Sequence, residues 1–238
     1  MKEIIYGIRP VIEALRSRRR QVFEVLDAVD NREVAKVAAA SGVPVKRVLR
    51  ARIDDLARGG AHQGVAVRAG PYPYSSLGGI LTTPNPLVVV LDSVTDPRNL
   101  GAVLRVADGA GASGVVVPKD RAVSVTPAAV KASAGASEHV PVVRETNLRR
   151  ALDKIKEAGV WAYAAEGGAA PAYTDLNLLG PVAFVLGSEG QGLRRLVREG
   201  CDGAVSIPMY GAVSSLNVSV AAAVLLFEAR WQRGWRGT

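Results

Sequence analysis

Leu87-Val88-Val89-Val90-Leu91-Asp92-Ser93-Val94-Thr95-Asp96-Pro97-Arg98-Asn99-Leu100-Gly101 is the stretch on which the fold turns. Five apolar residues in a row, three of them β-branched, suit a parallel strand covered on both faces. A polar loop follows, and residues 100–110 then repeat apolar side chains at helical spacing. The same alternation continues downstream. A strand is predicted over 114–117, and Thr126 with Pro127 caps a helix reaching Ser137. Then come a strand over 140–143, a helix over 148–158 and strands over 160–164 and 182–186. A short helix over 193–198, a strand over 204–207 and a final helix over 217–231 complete the series. Strands separated by helices predict an open, mostly parallel α/β sheet.

Upstream the units are shorter. Ile8, Val11, Ile12 and Leu15 form a helical set, followed by a strand over 22–26 and a helix over 32–40 ended by Gly42 and Pro44. A strand over 43–45, a helix over 53–57 and a closing strand over 64–67 finish a small α/β unit. Between the two regions, Gly70 to Pro86 is dense in glycine, proline and serine, which predicts a semi-rigid spacer rather than a packed element. The expected division is therefore 1–68, a linker over 69–85, and 86–238.

The chain has 238 residues, 48% of them hydrophobic and 22% charged, which is enough for a packed core. Its net charge of +8 makes a polyanion the first partner to consider. Residues 1–68 hold 14 of the 30 basic residues against 8 acidic ones. Arg18, Arg19 and Arg20 in one cluster and Arg47 and Arg50 in another are the candidate nucleic-acid contacts, although a solvated basic face would account for either cluster alone. Apolar runs fall short of the ~20 residues that a membrane span needs. The opening Met1-Lys2-Glu3-Ile4 lacks a secretory pattern. Cys201 is the single cysteine and there are two histidines, a poor inventory for a disulfide or a transition metal. The expectation is a cytoplasmic protein without a metal or a membrane span.

Ligands of open α/β sheets gather at the carboxyl ends of the strands. Three such loops stand out. Asn99 and Arg105 follow the first strand, where a polar hook and a guanidinium could flank a site; spacing alone favours a helix-capping asparagine and an arginine paired with a surface acid. Gly187-Ser188-Glu189-Gly190-Gln191-Gly192 lets a backbone approach a ligand closely and lacks the phosphate-clamp residues of a P-loop. A tight turn with a capping acid explains it equally well. Ile207-Pro208-Met209 leads to Ser214-Ser215-Leu216-Asn217-Val218-Ser219, polar groups crowded at the start of an apolar helix, which plain capping also explains.

Taken together, these segments resemble the three signature motifs of TrmH-like methyltransferases of the SPOUT superfamily, in order and at family-like spacing across residues 86–233. The N-terminal segment, with Gly7, Val11 and Leu15 and then His62-Gln63-Gly64-Val65, resembles the ribosomal-protein-like substrate-binding domain fused to many members. The similarity is greatest to the subgroup that methylates a guanosine ribose of large-subunit ribosomal RNA. The resemblance implies a C-terminal trefoil knot, a homodimer, and S-adenosylmethionine held at Gly187, Ile207 and Leu216. It implies that Asn99, Arg105, Glu189, Ser215 and Asn217 surround the reacting ribose. A transfer-RNA ribose as target and a non-catalytic ribosomal-RNA assembly factor are the alternatives.

Overall fold

The computed structural model describes residues 2–120, 122–168, 171–188 and 190–234. In it the valine-rich run forms β5 (Leu87–Leu91), and all five of its side chains are buried. A strand with no solvent-facing side must lie inside a sheet, and β5 pairs on one edge with β6 (Gly114–Pro118) and on the other with β9 (Val182–Leu186). With β7 (Val142–Glu145), β8 (Trp161–Ala165) and β10 (Gly203–Val205), these strands form a six-stranded sheet in the order β10-β8-β9-β5-β6-β7. Every pairing in it is parallel. The mostly parallel α/β sheet expected from the sequence is present.

Alternate side chains of β5 serve opposite faces. Leu87, Val89 and Leu91 join a core with α5 (Pro97–Gly109), α6 (Pro127–Ala132) and α9 (Val218–Gln232). Val88 and Val90 join another with α4 (Leu77–Leu81), α7 (Leu148–Glu157) and α8 (Arg195–Arg198). α6 ends earlier than Ser137 because Ala134 (φ +53°) and Gly135 (φ +94°) turn the chain into left-handed backbone. A three-residue 3₁₀ turn, Ala136–Glu138, follows. Among the described residues, no helix is long and apolar enough to cross a membrane.

The N-terminal region forms a second sheet of β1 (Glu3–Tyr6), β2 (Val22–Asp27), β3 (Val45–Arg47) and β4 (Val65–Ala69), in the order β1-β4-β2-β3. The helices α1 (Ile8–Ser17), α2 (Arg32–Ala40) and α3 (Arg50–Ala57) connect it. β1 lies outside the elements expected from the sequence: its Ile4-Ile5-Tyr6 is too short to show a period, and antiparallel pairing with β4 makes it a strand. Val11, Ile12, Leu15, Val25 and Val67 belong to the same buried cluster as Leu87, Val89 and Leu91 of β5, so one core runs through both sheets.

The segment 69–85 is not the unpacked spacer predicted from its glycines and prolines. Ala69 belongs to β4, and Ser75 N–H donates to the Val142 carbonyl (2.8 Å) beside edge strand β7. Tyr72 is buried, and its hydroxyl donates to the Ser137 carbonyl (2.8 Å). Leu77 and Ile80 of α4 sit in the second core. Breaker residues stop long elements, but they do not stop the apolar side chains between them from being buried.

Candidate active site

Because the six strands are parallel, their carboxyl ends share one edge, and the neighbouring strands β10, β8, β9 and β5 bring their loops together there. The loop after β9 doubles back on itself. Gly192 N–H donates to the Ser188 carbonyl (3.0 Å), and Gly190 and Gly192 take positive φ angles of 82° and 65°. A Cβ on Gly187 would overlap the Gly192 carbonyl and the Leu193 nitrogen, so only glycine fits this close approach.

The foot of this loop is pinned by a residue that the sequence reading passed over. Asp92, the first residue after β5, is fully buried and accepts from Arg194 N–H (2.8 Å) and Arg194 Nε (2.7 Å). A buried carboxylate needs such donors. The only local signal was an acid directly after an apolar strand, and its partner lies 102 positions away.

The loops enclose a cavity of about 500 Å³, within the range typical of small-ligand sites. Gly187, Ser188, Ser215 and Leu216 line it, together with Ala165 and Glu166 at the end of β8. Ile207 and Met209 line an adjoining hollow that shares Ser215 and Leu216. Gly187, Ile207, Ser215 and Leu216 are thus brought together. The wall is mostly backbone and small or apolar side chains.

Asn99 and Asn217 meet beside this cavity, not in its lining. Asn217 caps α9, its Oδ1 accepting from Ser219 N–H (2.9 Å) and Oγ–H (2.6 Å), while its Nδ2 donates to Asn99 Oδ1 (3.1 Å). Asn99 does not cap α5. Asp96 does, accepting from Arg98 N–H (2.8 Å) ahead of Pro97. Hydrogen bonds from Arg98 hold the Asp96 carboxyl below its ordinary range. Arg105 is exposed further along α5, outside the cavity lining. Among the described residues it makes no hydrogen bond or ion pair, so the surface acid favoured by spacing is not there. Glu189 lies outside the described residues.

The proposed RNA contacts divide. Arg20 is a correction: its side chain is 1% exposed and is held by Glu138 (2.6 Å) and Glu3 (2.8 Å). Arg19 is another, donating to the Val140 carbonyl (2.9 Å) and Ser75 Oγ (2.7 Å) against the Tyr72 ring. Their partners lie far along the chain, which a run of arginines cannot reveal. Both guanidiniums join the two sheets and are not presented to a polyanion. Arg18 is exposed and donates to the Ala40 carbonyl (3.1 Å), and exposed Arg47 pairs with Asp30 (2.8 Å). Arg50 is exposed at the start of α3 with no ion pair among the described residues.

Other reactive groups are occupied. His62 is buried against Asp54, and His139 contacts Glu13. Burial pushes the Cys201 thiol up to about 12. Among the described residues no group of three or more His, Cys, Asp or Glu is placed to hold a metal ion.

Comparison with known proteins bears on this arrangement directly. The profile of the SpoU rRNA methylase family matches residues 86–227, the sheet and all of its site loops. The chain belongs to the SpoU rRNA methylase family. A second profile, RNA 2′-O ribose methyltransferase substrate binding, matches residues 4–75. The 23S rRNA (guanosine-2′-O-)-methyltransferase RlmB of Photobacterium profundum is 43% identical over 97% of this chain and 98% of its own. That of Escherichia coli K12 is 41% identical over 98% of this chain and 100% of its own. The SpoU methyltransferase AviRb of Streptomyces viridochromogenes, crystallised with AdoMet, superposes with a TM-score of 0.83 at 26% identity, covering 98% of this chain and 90% of that one. The SPOUT methyltransferase fold and the resemblance drawn from the three motifs both stand.

Proposed function

We propose that this SpoU-family chain transfers a methyl group from S-adenosylmethionine to the ribose 2′-hydroxyl of a guanosine in 23S ribosomal RNA, working in the cytoplasm as a homodimer. The observation that carries the reading is the convergence of the loops after β8, β9 and β10 on one cavity. Its wall offers backbone and small side chains, with no room for a Cβ at Gly187. That cradle suits an adenosine bearing a sulfonium and has no clamp for phosphates. Gly187, Ile207 and Leu216 would hold the cofactor, largely through backbone atoms, with Ser215 beside it. When bound, it supplies an electrophilic methyl group. The C-terminal trefoil knot is part of the same proposal, supported by the way residues 205–221 and the glycine loop share that cavity.

A ribose hydroxyl is a poor nucleophile near neutral pH, so its developing negative charge needs stabilising. A guanidinium is a poor base, so Arg105 acts by stabilising the alkoxide electrostatically rather than by taking the proton. Asn99 and Asn217, bonded to each other, keep the starts of α5 and α9 in register. Glu189, outside the described residues, completes the set of polar residues proposed for the reaction.

The position of Arg105 supports the dimer. It projects from α5 outside the cavity, and the neighbouring α9 is apolar around most of its circumference, leaving Val220 and Trp231 exposed. A second copy seated on this face would cover those side chains and let Arg105 of one subunit serve the cavity of the other. Residues 1–68 would hold the RNA, residues 69–85 join the two parts, and residues 86–238 carry the chemistry. With Arg19 and Arg20 committed to structure, α3 and its C-cap offer the better phosphate surface: Arg50, Arg52 and Arg58 are exposed and unpaired among the described residues.

Mapping of 2′-O-methylated riboses in ribosomal and transfer RNA from a deletion strain tests this. One guanosine of 23S ribosomal RNA should lose its methyl group, and the purified protein with S-adenosylmethionine should restore it. Loss confined to transfer RNA, or no loss anywhere, would refute it.

A further inference from the structure

Glu166 is the one ionisable residue among the described residues that line the cavity and its adjoining hollow. It follows the last residue of β8, and its N–H donates to the Val205 carbonyl (3.0 Å), which fixes its backbone between two of the site loops. Its carboxylate is held from the outer side by Arg198 of α8, whose Nε donates to both oxygens at 3.2 and 3.3 Å. The arginine side chain is 54% exposed and the glutamate 30%. An ion pair this open to water contributes little, so the carboxylate can turn toward a charge in the cavity at small cost while water solvates Arg198.

The cofactor proposed for this cavity and the product it leaves differ in charge at one atom. S-adenosylmethionine carries a sulfonium; once the methyl has gone, the sulfur is a neutral thioether. Adenosine, ammonium and carboxylate are common to both. A carboxylate on a cavity wall that is otherwise uncharged among the described residues therefore attracts the two ligands unequally. We propose that Glu166 is the residue by which the site distinguishes charged cofactor from spent product, and that Arg198 tunes how much of its charge the ligand feels. The favoured exchange of product for fresh cofactor follows from that preference.

The proposal rests on the cavity being the cofactor site, and calorimetry can separate the two claims. S-adenosylmethionine and S-adenosylhomocysteine are titrated into the full-length protein, Glu166→Gln and Arg198→Ala. Glu166→Gln should weaken S-adenosylmethionine by about threefold to tenfold and leave S-adenosylhomocysteine near wild type, the size expected of a charge contact at a partly wet site. Arg198→Ala should move the ratio of the two affinities the other way, and added salt should shrink the wild-type ratio. Equal weakening of both ligands in Glu166→Gln, or an unchanged ratio, would overturn the proposal while leaving the cavity assignment intact. A wild-type protein that binds neither ligand would remove the assignment and this inference together.

Discussion

Arg105 stands about 9 Å along α5 from Asn99, at 1.5 Å per residue, with its charge held by no neighbour among the described residues. A group that stabilises a developing oxyanion acts in the transition state alone, so its removal should spare ground-state binding. Arg105→Ala should lower single-turnover methyl transfer about a hundredfold or more, from a typical cost of about 2.7–4 kcal/mol, with cofactor affinity near wild type. Arg105→Lys should also be impaired, because an ammonium cannot reproduce the planar fork. Wild-type rates in both variants would make Arg105 a bystander. Gly187→Ala tests the opposite end of the site: the added methyl meets the Gly192 backbone, which cannot move aside as a side chain can. Cofactor binding should be lost in calorimetry, with the circular dichroism spectrum retained. Gly187 could be picked out in the sequence because glycine leaves a local signature next to an apolar strand. Asp92 and Arg20 could not, because what they do is defined by partners 102 and 118 positions away.

At the scale of elements, most strands and helices of the larger sheet were legible because each is long enough to show its apolar pattern. The failures came where a short piece takes its structure from a distant one. β1 needs β4, and α4 needs the second core beneath it. The Arg20–Glu138 contact, with side chains 1% and 0% exposed, joins the turn before β2 to the turn before β7. Removing one partner of a buried pair leaves the other charge stranded, typically at about 3–5 kcal/mol. Arg20→Ala should therefore lower thermal and urea stability by about that amount, whereas Arg18→Ala, which removes one exposed hydrogen bond, should change stability little. Equal, small effects in the two variants would show that the contact between the sheets contributes nothing. By the same logic a chain beginning at Thr83 would lack Tyr72, Leu77, Ile80 and Arg20 at once, so it should fail to give a cooperative unfolding transition.

For the whole molecule, two surfaces set how it meets other molecules. On α9, Trp231→Glu with Val220→Glu should convert a dimer into a monomer by light scattering and reduce activity with it; an unchanged mass would move the dimer contact elsewhere. On α3 and its C-cap, reversing the charges of Arg50, Arg52 and Arg58 should weaken RNA binding and flatten the plot of log affinity against log salt by about one unit per lost phosphate contact. Reversing Arg47, already paired with Asp30, should do less. Equal slopes for the two would assign the RNA to another face. The buried ion pair and the shared core also bear on heredity. A recognition module tethered by a floppy string can be traded between lineages like a cartridge, whereas this one is keyed to its chassis. A chimera that borrows the first 75 residues of a relative keeps Glu138 without any assurance of its counter-charge, so the two halves must drift in step, each change on one side answered on the other.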